Sequence, residues 1–318
     1  MLSIPLESVP TQAPDGPDPC TAINCEDHPA DPDPCAATPC TQPVDPCSVG
    51  DCTPIGFSAL YRRPTCDADA ANGHYFQAVY TRPTDRPSRY KHLTPYIRGV
   101  ISRMNARLYD EALNSSGKTQ AARYRFLCNG SSTVVVSRYP AKNKAHATSS
   151  LYSKLVNAAQ AAGLTSVHAK YVIFYDGPPP TVRLPNGQKV QACGQGDVPG
   201  DDSLASTNRN DSGPDYAIVY GQSCFAPRYA MHETAHNMGA VQNSAPRSSG
   251  AFHCNDGLDV MCYSDGGSKS RYRANVCPNR ERFDCGYNDY FDTAPASGSY
   301  LATHWNLGWG GNLFLSFP

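Results

Sequence analysis

The spacing of apolar residues divides the 318-residue chain into two unlike parts. Residues 1–54 carry few large apolar side chains and are rich in Pro, Asp and Cys. From Gly56 onward the pattern becomes periodic. Tyr75 to Tyr80 reads as a strand. Ile97, Val100, Ile101, Met104 and Leu108 then recur at helical spacing. Tyr124 to Cys128, with Tyr124 and Phe126 alternating, and the β-branched run Thr133 to Val136 read as further strands. Leu151, Tyr152, Leu155, Val156 and Ala159 mark a second helix. Tyr171 to Tyr175 is a near-continuous apolar run closed by Asp176 and Gly177, as expected of a strand buried on both faces. A polar stretch, Gly194 to Pro214, reads as a long loop, and Tyr216 to Tyr220 as another buried strand. Alternating strands and helices predict an α/β fold with a mostly parallel sheet. Beyond Gly239 little regular structure is expected, and four cysteines fall within 32 residues.

Composition narrows the class. Hydrophobic residues make up 40% of the chain, enough for a sizeable core, whereas charged residues are 17% with a formal net charge of −1. That balance lacks the basic footprint of a nucleic-acid binder. No apolar run reaches the length of a membrane span. Fourteen cysteines, with no paired two-spaced clusters of the zinc-ribbon kind, point to disulfides and an oxidising compartment. A secreted protein is therefore expected. Met1 to Pro10 has neither a basic start nor an apolar stretch of signal-peptide length, so a leader is expected to have been removed or to lie upstream. In the N-terminal part the unit Asp-Pro-Cys, four residues, Cys recurs at Cys20/Cys25, Cys35/Cys40 and Cys47/Cys52. Small disulfide loops on a Pro-stiffened spacer are the simplest reading; an inhibitory segment offering a thiolate to a metal is the alternative, and paired cysteines argue against it.

Candidate chemistry centres on His232-Glu233-Thr234-Ala235-His236. Residues four apart share a helix face, so two imidazoles can meet one zinc ion while Glu233 reaches its water. Asn237-Met238-Gly239 follows, and a glycine there lets the chain turn sharply out of the helix. Downstream, Asp259-Val260-Met261-Cys262-Tyr263 sets a methionine and a tyrosine two residues apart.

On these motifs the chain, from about Gly56 to the end, resembles the metzincin clan of zinc proteases, and a group of secreted bacterial members with the run Gly-Ala-Val-Gln. The resemblance implies a metzincin-like catalytic domain over residues 55–318. Its upper part, to about residue 239, would be a twisted sheet with packed helices and the active-site helix. Its lower part, 240–318, would be an irregular, disulfide-rich subdomain. It also implies zinc as cofactor, Glu233 as general base, Met261 as a floor beneath the metal, and Tyr263 as a fifth ligand that steadies the oxyanion. The chain departs from the clan where the third histidine is expected, because Gln242 stands there. An amide oxygen is a poor zinc ligand beside an imidazole, so His253 is expected as the third ligand, with Gln242 as alternative. Asp256 and Asp259 are expected to hold the turn or a ligand's second nitrogen.

Other features have plainer readings. Cys66 with Cys128 and Cys193 with Cys224 are expected pairs; Cys254, Cys262, Cys277 and Cys285 are expected to be oxidised in one of three pairings. His74, His92, His146, His168 and His304 have no ligand spacing. Asp197, Asp201, Asp202, Asn208, Asp211 and Asp215 crowd one loop, making calcium a candidate there, with a solvated loop as the plainer alternative. Trp305 and Trp309 in the Gly-rich C-terminus are expected to close the core. The expected function is a secreted, monomeric zinc endopeptidase acting on protein or peptide substrates. The rivals are a non-catalytic zinc-containing adhesion or binding protein and a zinc hydrolase of non-peptide substrates.

Overall fold

A computed structural model describes residues 66–318, except 130–132, 142–143, 145–149, 184–188, 256, 258, 264, 266, 268–276 and 278–281. The cysteine-rich N-terminal units, the boundary near residue 55, His146 and Asp256 lie outside the described residues.

In chain order the described elements are β1 (Tyr75–Thr81), α1 (Tyr90–Ser115), β2 (Arg123–Tyr124), β3 (Val136–Arg138), α2 (Leu151–Ala161), β4 (Ala169–Tyr175), β5 (Thr181–Arg183), β6 (Lys189–Gln191), β7 (Gly194–Gly196), β8 (Asp215–Tyr220), α3 (Pro227–Asn237), α4 (Tyr300–Thr303) and β9 (Leu315–Ser316). Among the described residues five strands form the central sheet in the order β3-β1-β4-β8-β7. The first four run parallel, while β7 pairs antiparallel with β8 through Gly194↔Val219 and Gly196↔Ala217. The expected mixed α/β, mostly parallel sheet is present.

The near-continuous apolar strands follow from cover on both faces. Ala78, Val172, Phe174 and Val219 face one cluster with Ile97, Val100, Ile101, Met104 and Leu108 of α1 and Ala230, Met231 and Ala235 of α3. The intervening Val79, Ile173 and Ile218 face a second cluster with Leu151, Leu155 and Ala159 of α2. Alternation along each strand thus sorts side chains between the two layers.

Three sequence expectations change. Gly194 to Gly196, expected as loop, is a strand, because its backbone pairs with β8 although its composition is that of a turn. Thr133 to Val136 gives way to the later β3, with Val134 in an isolated bridge to Cys128. Tyr124 to Cys128 divides. Arg123 and Tyr124 pair with β9, while Phe126 bridges Phe76 beside β1. Among the described residues four disulfides join Cys66–Cys128, Cys193–Cys224, Cys254–Cys262 and Cys277–Cys285. The first two are the expected pairs, and the others are one of the three pairings left open. Trp305 is buried and donates from Nε1 to the Met238 carbonyl at 2.7 Å, sealing the end of α3. Trp309 does not close the core in the same way, since it remains 39% exposed.

Candidate metal centre

Pro227 opens α3, where its fixed φ suits the first helical turn and its missing N–H is not needed. The helix is buried from Ala230 to Asn237 despite its polar sequence, so its side chains need partners inside the protein. Thr234 Oγ1 bonds the Ala230 carbonyl, and Asn237 Nδ2 donates to the carbonyls of Asp197 (3.0 Å) and Tyr216 (3.2 Å). At the C-terminus Gly239 N–H donates to His236 O and Ala240 N–H to Ala235 O, both at 2.9 Å. With Gly239 at φ +89°, this is a Schellman turn. A Cβ on Gly239 would overlap the Asn210 side chain, so both backbone and space require glycine. The turn brings the Ala240 carbonyl back onto His236 Nδ1 at 2.8 Å.

His232, His236 and His253 are buried, and one ring nitrogen from each lies within 4.8 Å of the others. The outward nitrogens explain this arrangement. His232 Nδ1 meets the Val260 carbonyl at 2.6 Å, His236 Nδ1 the Ala240 carbonyl, and His253 Nδ1 the Asp265 carboxylate at 2.9 Å. All three partners are acceptors, so each Nδ1 is placed to donate, and in a neutral ring the Nε2 then presents a lone pair. The Nε2 atoms of His236 and His253 nevertheless approach to 3.1 Å, and His232 Nε2 is buried with no hydrogen-bond partner among the described residues. Converging lone pairs repel one another unless a cation or a shared proton sits among them. Two imidazole nitrogens on one tetrahedral zinc lie about 3.3 Å apart, given Zn–N bonds of roughly 2.0–2.1 Å. The donor set therefore fits a borderline divalent metal. Burial and the neighbouring imidazoles hold the pKa values of His232 and His236 well below the ordinary 6.5, keeping both rings neutral at pH 7 as ligands must be.

Glu233 is buried next to His232 on α3. Its carboxylate lies against β7, where a Cβ on Gly194 would overlap Glu233 Oε1 and one on Gly196 would stand 2.9 Å from the Glu233 carbonyl. Met261 is buried and Tyr263 half-buried, on the turn whose Val260 carbonyl holds His232. The Tyr263 ring centroid lies 4.4 Å from that of His253 and 6.0 Å from that of His232. Gln242 is engaged elsewhere, its amide nitrogen donating to the carbonyls of Gly239 (2.8 Å) and Asp201 (3.3 Å). Asp259 holds the turn, accepting from Met261 N–H at 2.8 Å, Cys285 N–H at 3.1 Å and Tyr290 hydroxyl at 3.2 Å.

Asp265 escaped the sequence reading. Burial raises its carboxyl, but hydrogen bonds from His253 and Ser249 outweigh this and bring it below the usual carboxylate value. The signal was an acid two residues past Tyr263, disguised as a turn by the glycines that follow it. The backbone acceptors Val260 and Ala240 carry no sequence signal.

The acidic loop uses its carboxylates on its own chain. Asp201 accepts from the Ser203 N–H and hydroxyl and the Arg209 N–H, Asp211 from the Leu313 N–H, and Asp197 from the Tyr216 N–H. Asp202 bonds the Tyr300 and Ser244 hydroxyls, and Asp215 pairs with Lys170. Cys254, Asp259 and Cys262 also cluster, but the two sulfurs are joined to each other and offer no thiolate. His74 and His168 contact each other at 3.3 Å and His304 stacks on Tyr300, all outside the three-histidine group. No helix among the described residues is long and apolar enough to cross a membrane.

Compared with models of known protein families and with curated protein sequences, the chain matches none.

Proposed function

We propose that the chain is a secreted zinc-dependent endopeptidase of the metzincin type. The observation that carries the reading is the set of three buried imidazoles, each with Nδ1 tied to an acceptor and Nε2 aimed at one point, beside Glu233 on the same helix. His232, His236 and His253 would hold the ion, with His253 in place of Gln242. Zinc bound there would supply a Lewis acid for the scissile carbonyl and a bound water of pKa about 7. Glu233 takes a proton from the attacking water and passes it to the departing amine nitrogen, so that one peptide bond and one water become a carboxylic acid and an amine. The phenol of Tyr263, beside the imidazoles, donates to the developing oxyanion. Buried Met261 would serve as the apolar floor of the site. Four disulfides fit a protein that works in an oxidising extracellular setting.

Cleavage of unfolded casein by wild type and by Glu233→Ala, with zinc content measured on the same samples, tests this. Chelator-sensitive cleavage by wild type alone, with zinc in both proteins, is the expected result. Equal zinc with no cleavage by either would favour a binding scaffold or a non-peptide substrate. A well-folded wild type without zinc would sink the reading altogether.

A further inference from the structure

His253 differs from the other two imidazoles in how it is held. His232 and His236 share a helix, which fixes their spacing, and each gives its Nδ1 proton to a neutral backbone carbonyl. His253 lies outside every described helix and strand. Instead it precedes Cys254, one end of a disulfide closed eight residues later at Cys262. Cys254 N–H also donates to the Met261 carbonyl at 3.1 Å. Tyr263 follows the other half-cystine, and Asp265 lies two residues further on. One short, covalently closed loop therefore presents His253 on one stem and Asp265 just beyond the other.

Asp265 completes the arrangement. Its Oδ2 accepts from His253 Nδ1 at 2.9 Å and from Ser249 Oγ at 2.6 Å, and its Oδ1 accepts from Gly267 N–H at 2.8 Å. Ser249 N–H in turn donates to the His253 carbonyl at 2.7 Å. Ring and backbone of His253 are thus gripped by the same Ser249–Asp265 pair. A carboxylate on Nδ1 fixes the ring's tautomer and orientation and makes its Nε2 a stronger donor than a carbonyl would.

We infer that Asp265 is a positioning residue for the metal centre, orienting and strengthening His253 on a frame closed by the Cys254–Cys262 disulfide. The inference rests on reading the three imidazoles as a zinc site, but not on peptide hydrolysis.

Zinc affinity of the full chain, measured by competition with a chromophoric chelator, provides the test. Asp265→Ala should weaken zinc binding about 10–100-fold. Asp265→Asn should weaken it less, because the amide oxygen can still accept from Nδ1. Cobalt-substituted Asp265→Asn should have a shifted visible absorption spectrum, a change that a purely structural defect would not make in a protein of unaltered thermal midpoint. If Asp265→Ala does not fold, Asp265→Asn decides alone. Equal zinc affinity and equal cobalt spectra in wild type and Asp265→Asn would overturn the inference while leaving the zinc centre standing. A wild type that binds no zinc would overturn both. Zinc bound tightly by a wild type that cleaves no peptide would count against the peptidase alone.

Discussion

At Gly194 and Gly196 the absence of a side chain is itself a structural contribution, since both lie on the face of β7 that meets Glu233. A methyl group on Gly194 has to push the Glu233 carboxylate aside, while the three imidazoles are held by other contacts. On the proposed peptidase reading, Gly194→Ala should therefore lower kcat/KM by about 100-fold, the cost of roughly 1 Å of misplacement, with zinc affinity unchanged. Parallel loss of zinc would place the damage in the helix rather than in the carboxylate. A second residue-level expectation concerns acid. In protein stripped of divalent cations, folded His232 and His236 resist protonation, whereas the unfolded chain takes up protons at the ordinary value of 6.5. Their contribution is thus complete above about pH 6.5 and is lost as pH falls below it. Urea denaturation at pH 7.5 and 5.5 should differ by about 1–3 kcal/mol in favour of the higher pH; equal stability would mean the rings are not buried neutral. Helix spacing makes the convergence of His232 and His236 legible in the sequence. His253 was reached through ligand chemistry. Asp265 was not legible, because its bond to His253 joins residues 12 apart and leaves no periodic trace.

The element that decides the site is α3 together with its exit. Gly239 ends the helix in a left-handed turn, and that turn delivers the Ala240 carbonyl to His236. Gly239→Ala should cost about 1–2 kcal/mol for the left-handed backbone alone, with a further penalty for overlap with Asn210. Chemical denaturation measures the loss, and weaker zinc binding should accompany it, because His236 would lose its orienting acceptor. A variant of unchanged stability would mean that the chain leaves the helix by another route. Sequence legibility at this scale followed side-chain pattern. β4, β8, α1 and α2 carry periodic apolar residues and were visible. The edge strand β7 and the β5–β6 hairpin are made by backbone pairing of short segments, of which only Val190 in β6 is buried as an apolar side chain. Their residues look like those of loops because, for most of them, side-chain burial is not what holds them.

Across the whole molecule, long-range ties join segments that the local pattern treats separately. Two of these ties, Cys66–Cys128 and Cys193–Cys224, could be anticipated from cysteine positions. Another could not. Lys170, in the middle of the sheet at 0% exposure, sends Nζ to Asp215 Oδ2 at 2.6 Å and to the Ser212 carbonyl at 2.9 Å, with the Phe314 ring 4.4 Å away. It thereby links β4, the start of β8 and the C-terminal segment before β9. Burial pulls the Lys170 pKa down and the Asp215 charge opposes this, so each ion depends on the other. Lys170→Met should leave the Asp215 carboxylate buried, with the half-exposed Arg209 guanidinium 3.9 Å away as its remaining ion-pair partner among the described residues. The expected cost is about 3–5 kcal/mol, as for other buried pairs broken on one side. Replacing both partners, Lys170→Met with Asp215→Leu, removes the stranded charge and should recover most of that loss. A thermodynamic cycle over the two single variants and the double variant isolates the coupling. If the double variant is as unstable as the sum of the singles, the ion pair is not the tie, and the lysine stem packed within the sheet must carry the stability instead.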